Sequence, residues 1–452
     1  MNPGAVHLVS LGCPKNRVDS EVMLGGLLQD GWSVTHEPED ADCIVINTCG
    51  FLQAALEESI DTILEMAAYK DEGRCKRLVV TGCAAVRHAD EMAKEIPEVD
   101  HFLGVATFTK LPQLLREGEG QGRRLDVGPT AAFLYDHMTP RVNSTPGRSA
   151  YVKISEGCDN KCTFCIIPQL RGPQRSRPID DVVAEARGLA ADGVREINLI
   201  AQDLTAYGYD QTSEFGTRRG GPRLHNLVRG LAGVTDLKWI RLLYAYPRKF
   251  PDALIDAIAD EERVCNYLDM PLQHISDRVL RRMRRGHRAD KARTLLSRLR
   301  DRIPDIAMRT TFIVGFPGEN DEDFEELLEF VREQRFERVG VFRFSVEPGT
   351  PAAELPNQVP GRIKAERWKA LMELQAEISR ERNESMIGQE VEVLVEGRSA
   401  ETDLLLQGRM ATQAPEIDGV VYINDGMASK GDFVKVLIEE AHDYDLVGPI
   451  VG

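Results

Sequence analysis

The chain has 452 residues, enough for about three domains at roughly 150 residues each. Hydrophobic residues make up 42% and charged residues 28%, which excludes a disordered chain, a collagen-like chain and a disulfide-dense mini-protein. The net charge of −16 is unevenly spread: residues 1–142 carry 22 acids and 13 bases, 143–383 carry 36 and 39, and 384–452 carry 14 and 4. A free-standing RNA-binding module should be basic, because phosphate neutralisation supplies most non-specific affinity. The last segment is the opposite.

No apolar run approaches the ~18 residues of a membrane span. Val9-Ser10-Leu11-Gly12-Cys13 superficially resembles a lipoprotein processing site, but no Lys or Arg precedes it and the apolar stretch is too short for a signal peptide. A cytoplasmic protein without membrane contact is expected. Nine cysteines, an odd number, point to metal or redox chemistry rather than a disulfide framework.

Along the chain, strands are expected over 5–10, 43–47 and 78–81, and helices over 19–29 and 53–68. This alternation predicts a parallel sheet with covering helices. A cysteine follows each strand within a few residues: Cys13, Cys49 and Cys83. Loops at the carboxyl ends of such strands form the ligand crevice, so three distant cysteines could meet at one edge. A linker is expected over 139–148, within a Gly-, Pro-, Arg- and Thr-rich stretch at 119–148. Six further strands are expected over 150–155, 196–201, 239–243, 267–270, 309–314 and 338–344, with helices between them, including 180–192 and 321–334. Six β/α units predict a barrel or partial (β/α)6 barrel of the TIM type. A long polar helix over 364–386 leads to strands over 390–396, 404–409, 419–423 and 433–440, punctuated by glycines, which predict a small antiparallel β-barrel. The expected domains are 1–142, 143–383 and 384–452.

The strongest chemical signal is Cys158-Asp159-Asn160-Lys161-Cys162-Thr163-Phe164-Cys165, a C-x3-C-x2-C run just after the first strand of the middle domain. Three thiolates on one loop can hold three irons of a four-iron cluster and leave the fourth open to a substrate or cofactor. A zinc site is the alternative, but structural zinc usually takes four ligands and no partnered C-x2-C or H-x3-H lies nearby. The second signal is dispersed. Leu11-Gly12-Cys13-Pro14-Lys15-Asn16, Asn47-Thr48-Cys49-Gly50 and Thr81-Gly82-Cys83-Ala84 each set a Cys beside a Gly, where close backbone approach is possible. Each alone is more often a buried Cys acting as a small hydrophobe. Cys43, Cys75 and Cys265 match no motif and read as structural. Arg278, Arg281, Arg282, Arg284, Arg285 and Arg288 form a dense run. It reads as a solvated helix face, with contact to ribosomal RNA or a cofactor carboxylate as the alternative. His274 at a strand end reads as structural or hydrogen-bonding.

The triplet at 158–165 resembles the radical S-adenosylmethionine (SAM) superfamily, and the dispersed triplet resembles the N-terminal domain of its methylthiotransferase family. The resemblance runs over essentially the whole chain, and the last domain resembles the TRAM fold. It implies two [4Fe-4S] clusters, one on Cys158, Cys162 and Cys165 and an auxiliary one on Cys13, Cys49 and Cys83. It also implies SAM at the open iron, with Phe164, Gln202 and the loop Gly315-Phe316-Pro317 as cofactor contacts. It further implies two uses of SAM, one to methylate a sulfur and one to generate a 5′-deoxyadenosyl radical, and a flavodoxin- or ferredoxin-type electron donor. Two branches are relevant, one acting on a transfer-RNA adenosine and one on an aspartate of the twelfth small-subunit ribosomal protein. The run Ser10 to Glu21, the motifs Lys153 to Asn160 and Ile167-Pro168 to Gly172-Pro173 with Arg175-Ser176-Arg177-Pro178, and Ala414 to Gly419 in an acidic barrel favour the ribosomal branch. An acidic barrel repels nucleic acid and attracts a basic ribosomal protein. The expected product is 3-methylthioaspartate, and the expected active site is the interface of the first two domains. A transfer-RNA methylthiotransferase and a nonenzymatic zinc-bound RNA- or ribosome-binding module are the alternatives.

Overall fold

The structure is a computed structural model and describes residues 3–117, 124–128, 133–145, 147–211, 221–248 and 250–451. The glycine-rich part of the expected 119–148 stretch therefore falls largely outside the described residues.

The first sheet has six parallel strands: β1 (Ala5–Ser10), β2 (Ser33–Val34), β3 (Cys43–Thr48), β4 (Arg77–Gly82), β5 (His101–Leu103) and β6 (Arg124–Asp126), in the order β2-β1-β3-β4-β5-β6. β3 is buried at every position, as expected of a strand covered by helices on both faces. The short strands β2, β5 and β6 lack a distinctive hydrophobic run and go unread in the sequence. Helix Pro14–Gln29 starts five residues earlier than expected, directly after Cys13. Pro14 at its first turn has no N–H to leave unsatisfied, which suits that position.

The second sheet also has six parallel strands: β7 (Ser149–Lys153), β10 (Glu196–Ile200), β11 (Trp239–Leu242), β12 (Val264–Asp269), β13 (Ala307–Val314) and β14 (Arg338–Arg343). Their order is β14-β13-β12-β11-β10-β7, a partial barrel open between its first and last strands. A short hairpin-like pair, β8 (Ser155–Glu156) with β9 (Arg175–Ser176), brackets the three-cysteine loop. Helices Ile179–Ala191 and Asp321–Gln334 fall where the apolar periodicity placed them.

Helix Gly361–Glu384 leads to the last sheet: β15 (Glu390–Arg398), β16 (Leu406–Arg409), β17 (Val421–Ile423), β18 (Phe433–Leu437), β19 (Glu440–Ala441) and β20 (Leu446–Gly448). Val436 bridges Ile450 and so curls the sheet back on itself. The pairing is antiparallel except between β17 and β20, which are parallel.

The three units share buried surface. One apolar cluster joins Val18 and Leu27 of the first unit, Tyr151, Trp239 and Tyr267 of the barrel, and Leu394 and Ala414 of the last. The stretch expected as a linker is a packed strap. Its Arg141 pairs with Glu21 and Glu185, both at 2.6 Å, and a side chain on Gly25 would collide with the Pro140 backbone.

Arg409 of the last unit enters the amino end of the barrel. Fully buried, it bonds Glu196 at 2.6 Å and Glu396 at 2.7 Å, while Arg241 bonds Glu196 from the other side at 3.0 Å. Burial pushes the Glu196 carboxyl up, but the two guanidiniums outweigh it and hold it down to about 2, against an ordinary 4.5. A depressed carboxylate contributes stability above its unfolded pKa and loses it as pH falls through the folded one. Glu196 should therefore contribute on the order of 3 kcal/mol at neutral pH, lost between about pH 4.5 and 2. Thermal unfolding across that window should show the loss, and Arg409→Met should be less stable at pH 7 by about 3–5 kcal/mol.

Candidate functional site

Strands β1, β3 and β4 are neighbours, with Ser10 opposite Asn47 and Asn47 opposite Thr81. Their carboxyl ends therefore release Cys13, Cys49 and Cys83 at one edge of the sheet. The backbones come close enough that a Cβ on Gly12 would lie 2.8 Å from Cys49 Cβ. Gly12 and Gly82 both have positive φ, so the glycines beside these cysteines serve a real conformational need. Asn16 braces the edge: its Nδ2 donates to the carbonyls of Leu11 at 2.9 Å and Thr48 at 3.0 Å, and its Oδ1 lies 4.0 Å from Cys83 Sγ. Cys13 caps helix Pro14–Gln29, and Cys83 opens helix Cys83–Glu95, an N-terminal position that favours its thiolate. Burial works against this and pushes the Cys83 thiol up to about 12, with Cys49 also raised.

The second triplet is held by backbone geometry. Gly157 has φ +81°, and any side chain there would collide with the Pro173 carbonyl. The Cys158 N–H donates to Gly172 O at 3.0 Å, so the loop is pinned against the Gly172-Pro173 turn. Asn160 Nδ2 reaches Cys158 Sγ at 3.5 Å and Asp203 Oδ2 at 2.7 Å. Arg285 Nη1 reaches Cys162 Sγ at 3.4 Å, which draws one member of the arginine run into the site. Burial pushes Cys158 up to about 11 and Cys165 up to about 12. These sulfurs would ligate only as thiolates, so loading must release protons.

The two triplets are linked through their neighbours. Cys83 shares an apolar cluster with Ile166, the residue after Cys165, and with Leu170. Arg171 crosses the domain boundary. One of its nitrogens donates to Asn16 Oδ1 at 2.6 Å and Asp19 Oδ2 at 3.1 Å, and the other to Glu156 at 3.1 Å. Lys153 Nζ completes the network, 2.5 Å from Asp19 and 2.7 Å from Glu156. Two cations and two carboxylates, all buried, thus join the barrel to the first unit between the two sets of sulfurs. Asn16, Asp19, Lys153 and Glu156 all lie inside motifs read from the sequence. Their pairing is tertiary and leaves no local signal. Arg171 lies inside the Ile167 to Pro173 stretch, and its partners are equally tertiary.

The expected cofactor contacts fall into two groups. Gln202, after β10, donates to Glu156 Oε1 at 2.8 Å, and its own Oε1 is buried without a hydrogen-bond partner, an acceptor left for a donor from outside. Phe164 is half-buried, 6.4 Å edge-to-face from Phe316. Phe316 itself is fully buried and packs on Phe344, so its ring supports the loop from within. Gly315 has φ +71° with Lys364 directly against it, and Pro317 O accepts from Arg282. A cavity of about 220 Å3 lined by Asn160, Asp203, Thr205 and Tyr246 adjoins the Cys158 loop, and one of about 550 Å3 lined by Asp159, Gln174 and Asp210 lies beside it.

His274 is fully buried, its Nδ1 accepting from the Ser276 N–H and its Nε2 3.6 Å from Glu319. Cys43, Cys75 and Cys265 are buried free cysteines away from both triplets. Among the described residues no three His, Cys, Asp or Glu side chains could hold a single metal ion. A four-iron cluster asks for something different: three thiols around a space, one per iron, rather than three around a point. Each triplet offers three thiols, and Gln202 keeps a buried acceptor without a partner. The donor sets fit iron–sulfur clusters.

A family model described as the radical SAM superfamily matches residues 152–331, one described as uncharacterized protein family UPF0004 matches 5–104, and a TRAM domain model matches 387–451. A protein of Anaeromyxobacter sp. (strain Fw109-5) named ribosomal protein uS12 methylthiotransferase RimO is 57% identical over 447 residues, covering 99% of this chain and 93% of the relative. The chain belongs to the RimO family of radical SAM methylthiotransferases. Relatives of the same name from Myxococcus xanthus and Geobacter sulfurreducens are 54% and 51% identical, each over 99% of this chain and over 92% and 98% of their own length. Neither transfer-RNA modification nor a zinc-bound module is favoured by these relatives. Family membership implies SAM and [4Fe-4S] chemistry. The solved radical SAM methyltransferase TsrM of Kitasatospora setae shares the fold, with a TM-score of 0.58 at 14% identity over 83% of this chain and 89% of that one. Among the described residues no helix is long and apolar enough to cross a membrane.

Proposed function

We propose that the protein methylthiolates the β-carbon of an aspartate in ribosomal protein uS12, giving 3-methylthioaspartate. The Arg171 network, with Cys83 packed on Ile166 beside the second triplet, is the observation that carries this reading. In it, Cys158, Cys162 and Cys165 hold one [4Fe-4S] cluster and Cys13, Cys49 and Cys83 hold a second, in domains 143–383 and 1–142. When bound, the first cluster with SAM supplies the radical that removes a hydrogen no general base could take from an unactivated carbon. The chain's own residues prepare the space. Gly157 and the Gly172-Pro173 turn fix the loop, Gln202 offers its free Oε1 to the cofactor, and Phe164 packs on Phe316 beside the loop. The Lys153–Asp19–Arg171–Glu156 set keeps the two domains in register, so that a carbon radical meets its sulfur within a short lifetime.

The last domain, 384–452, is the docking surface in this reading. Glu401, Asp403, Asp425, Asp432, Glu439 and Glu440 are exposed on it, and its 14 acids against 4 bases suit a basic ribosomal protein or the assembled small subunit in the cytoplasm. A flavodoxin- or ferredoxin-type protein is the electron donor. The test is a competition. Protein reconstituted anaerobically, with SAM and a reductant, is offered small ribosomal subunits and bulk transfer RNA together. Mass spectrometry should find the methylthio group on a uS12 peptide; its appearance on a transfer-RNA nucleoside would overturn the reading.

A further inference from the structure

Lys15 stands out in the charge balance between the two triplets. It follows Cys13 by two residues, is only 7% exposed, and extends from the first turn of helix Pro14–Gln29 toward the barrel. Its Nζ lies 3.1 Å from the centroid of the Tyr244 ring. Every carboxylate nearby is already engaged. Glu156 and Asp19 share Lys153 and Arg171, and Asp269 takes Arg309 at 3.1 Å. Among the described residues no carboxylate lies within ion-pairing distance of Lys15. Burying an ammonium is costly unless an anion or several acceptors repay it, and the face of one ring repays only part.

Tyr244 is itself held for this contact. It follows β11 at φ +67°, a left-handed conformation unusual for a bulky side chain, and its N–H donates to Asp269 Oδ2 at 3.1 Å. The barrel thus spends backbone strain to place an aromatic face over a cation it does not neutralise. Cys13, two residues away, is the nearest negative group in the electrostatics of Lys15, and in the proposed function its thiolate is committed to a cluster. A carboxylate partner for the ammonium would have to come from outside the chain.

We propose that Lys15 is a specificity-determining residue whose ammonium grips the side-chain carboxylate of the substrate aspartate. This deepens the uS12 reading and rests on it. The carboxyl carbon is bonded directly to the β-carbon, so anchoring the carboxylate sets the reacting C–H one bond away. Asparagine lacks the charge, and glutamate places the carboxylate one methylene too far. A second carboxylate of the same chemistry belongs to the methionyl part of SAM, and the experiment separates the two.

The experiment uses the anaerobically reconstituted holoenzyme and a synthetic peptide of the uS12 loop carrying the target aspartate, with an Asn counterpart. Fluorescence anisotropy gives the Kd for each, and a separate titration gives the Kd for SAM. Wild type should prefer the Asp peptide by roughly ten- to hundredfold, the scale of one buried charge-assisted hydrogen bond. Lys15→Met should erase that preference while its iron content and SAM affinity stay at wild-type values. Equal affinity of wild type for the two peptides overturns the proposal without any variant, so a misfolded Lys15→Met does not shield it. Loss of SAM affinity with the peptide preference kept also overturns it and assigns Lys15 to the cofactor. If wild type neither binds nor modifies the Asp peptide or the small subunit, the uS12 reading itself falls.

Discussion

Cys158→Ala should abolish methylthio transfer and SAM cleavage together, and should lower the iron content by about four per chain, the content of one cluster. Cys13→Ala should lose the same amount of iron and all methylthio transfer, yet keep cleaving SAM. The contrast follows from placement. Cys158, Cys162 and Cys165 lie on one loop pinned by Gly157 and Gly172, while Cys13 reaches the site from the end of β1 on a different sheet. Iron analysis, absorption spectra and product assays on the two variants check this. Equal retention of SAM cleavage in both would refute the division of labour.

Arg171→Met carries the second large effect. The side chain is buried, and its loss leaves Asp19 and Glu156 sharing a single cation, Lys153. Removing one partner of a buried charge network typically costs about 3–5 kcal/mol. Burial raises the Glu156 carboxyl, but Arg171 and Lys153 outweigh it and hold the group well below the ordinary carboxylate range. Without Arg171 that depression shrinks, so the variant should lose stability at neutral pH and show a shallower further loss on acidification. Because Arg171 also bonds Asn16, which braces the loops of Cys13 and Cys49, transfer should fall more than SAM cleavage. Denaturation at pH 7 and pH 4, with both assays, measures each part.

Much of this site is written locally. The C-x3-C-x2-C run and the Cys–Gly pairs announce themselves because a cluster loop needs thiols at close spacing and glycine where the backbone crowds. The long buried strands and amphipathic helices are equally legible, since burial sets their hydrophobic period. Short edge strands such as Ser33–Val34 and Arg124–Asp126 are not, because two or three residues carry no period. The stretch 139–148 reads as a linker from its prolines, yet Arg141 pins it to two domains at once. What the sequence hides is pairing across domains. Nothing near Arg171 says that its partners are Asn16 and Asp19, some 150 residues earlier. Phe316 shows the converse: a loop that reads as ligand-facing turns its ring into the core.

The entry of Arg409 into the barrel has a mechanical meaning. A module joined by a flexible tether searches a volume, and its effective concentration at the target falls as the tether lengthens. Here the last domain is keyed into the amino end of the barrel by buried charge, with Arg17 of the first domain holding Glu416 across the seam. Its outer surface is thus a datum fixed against both sets of sulfurs. Whatever seats on that surface presents one stretch of itself at one distance. If the substrate docks there, as proposed, its residue would be selected by a gauge rather than by trial, and a substrate loop one residue longer or shorter should deliver the wrong side chain.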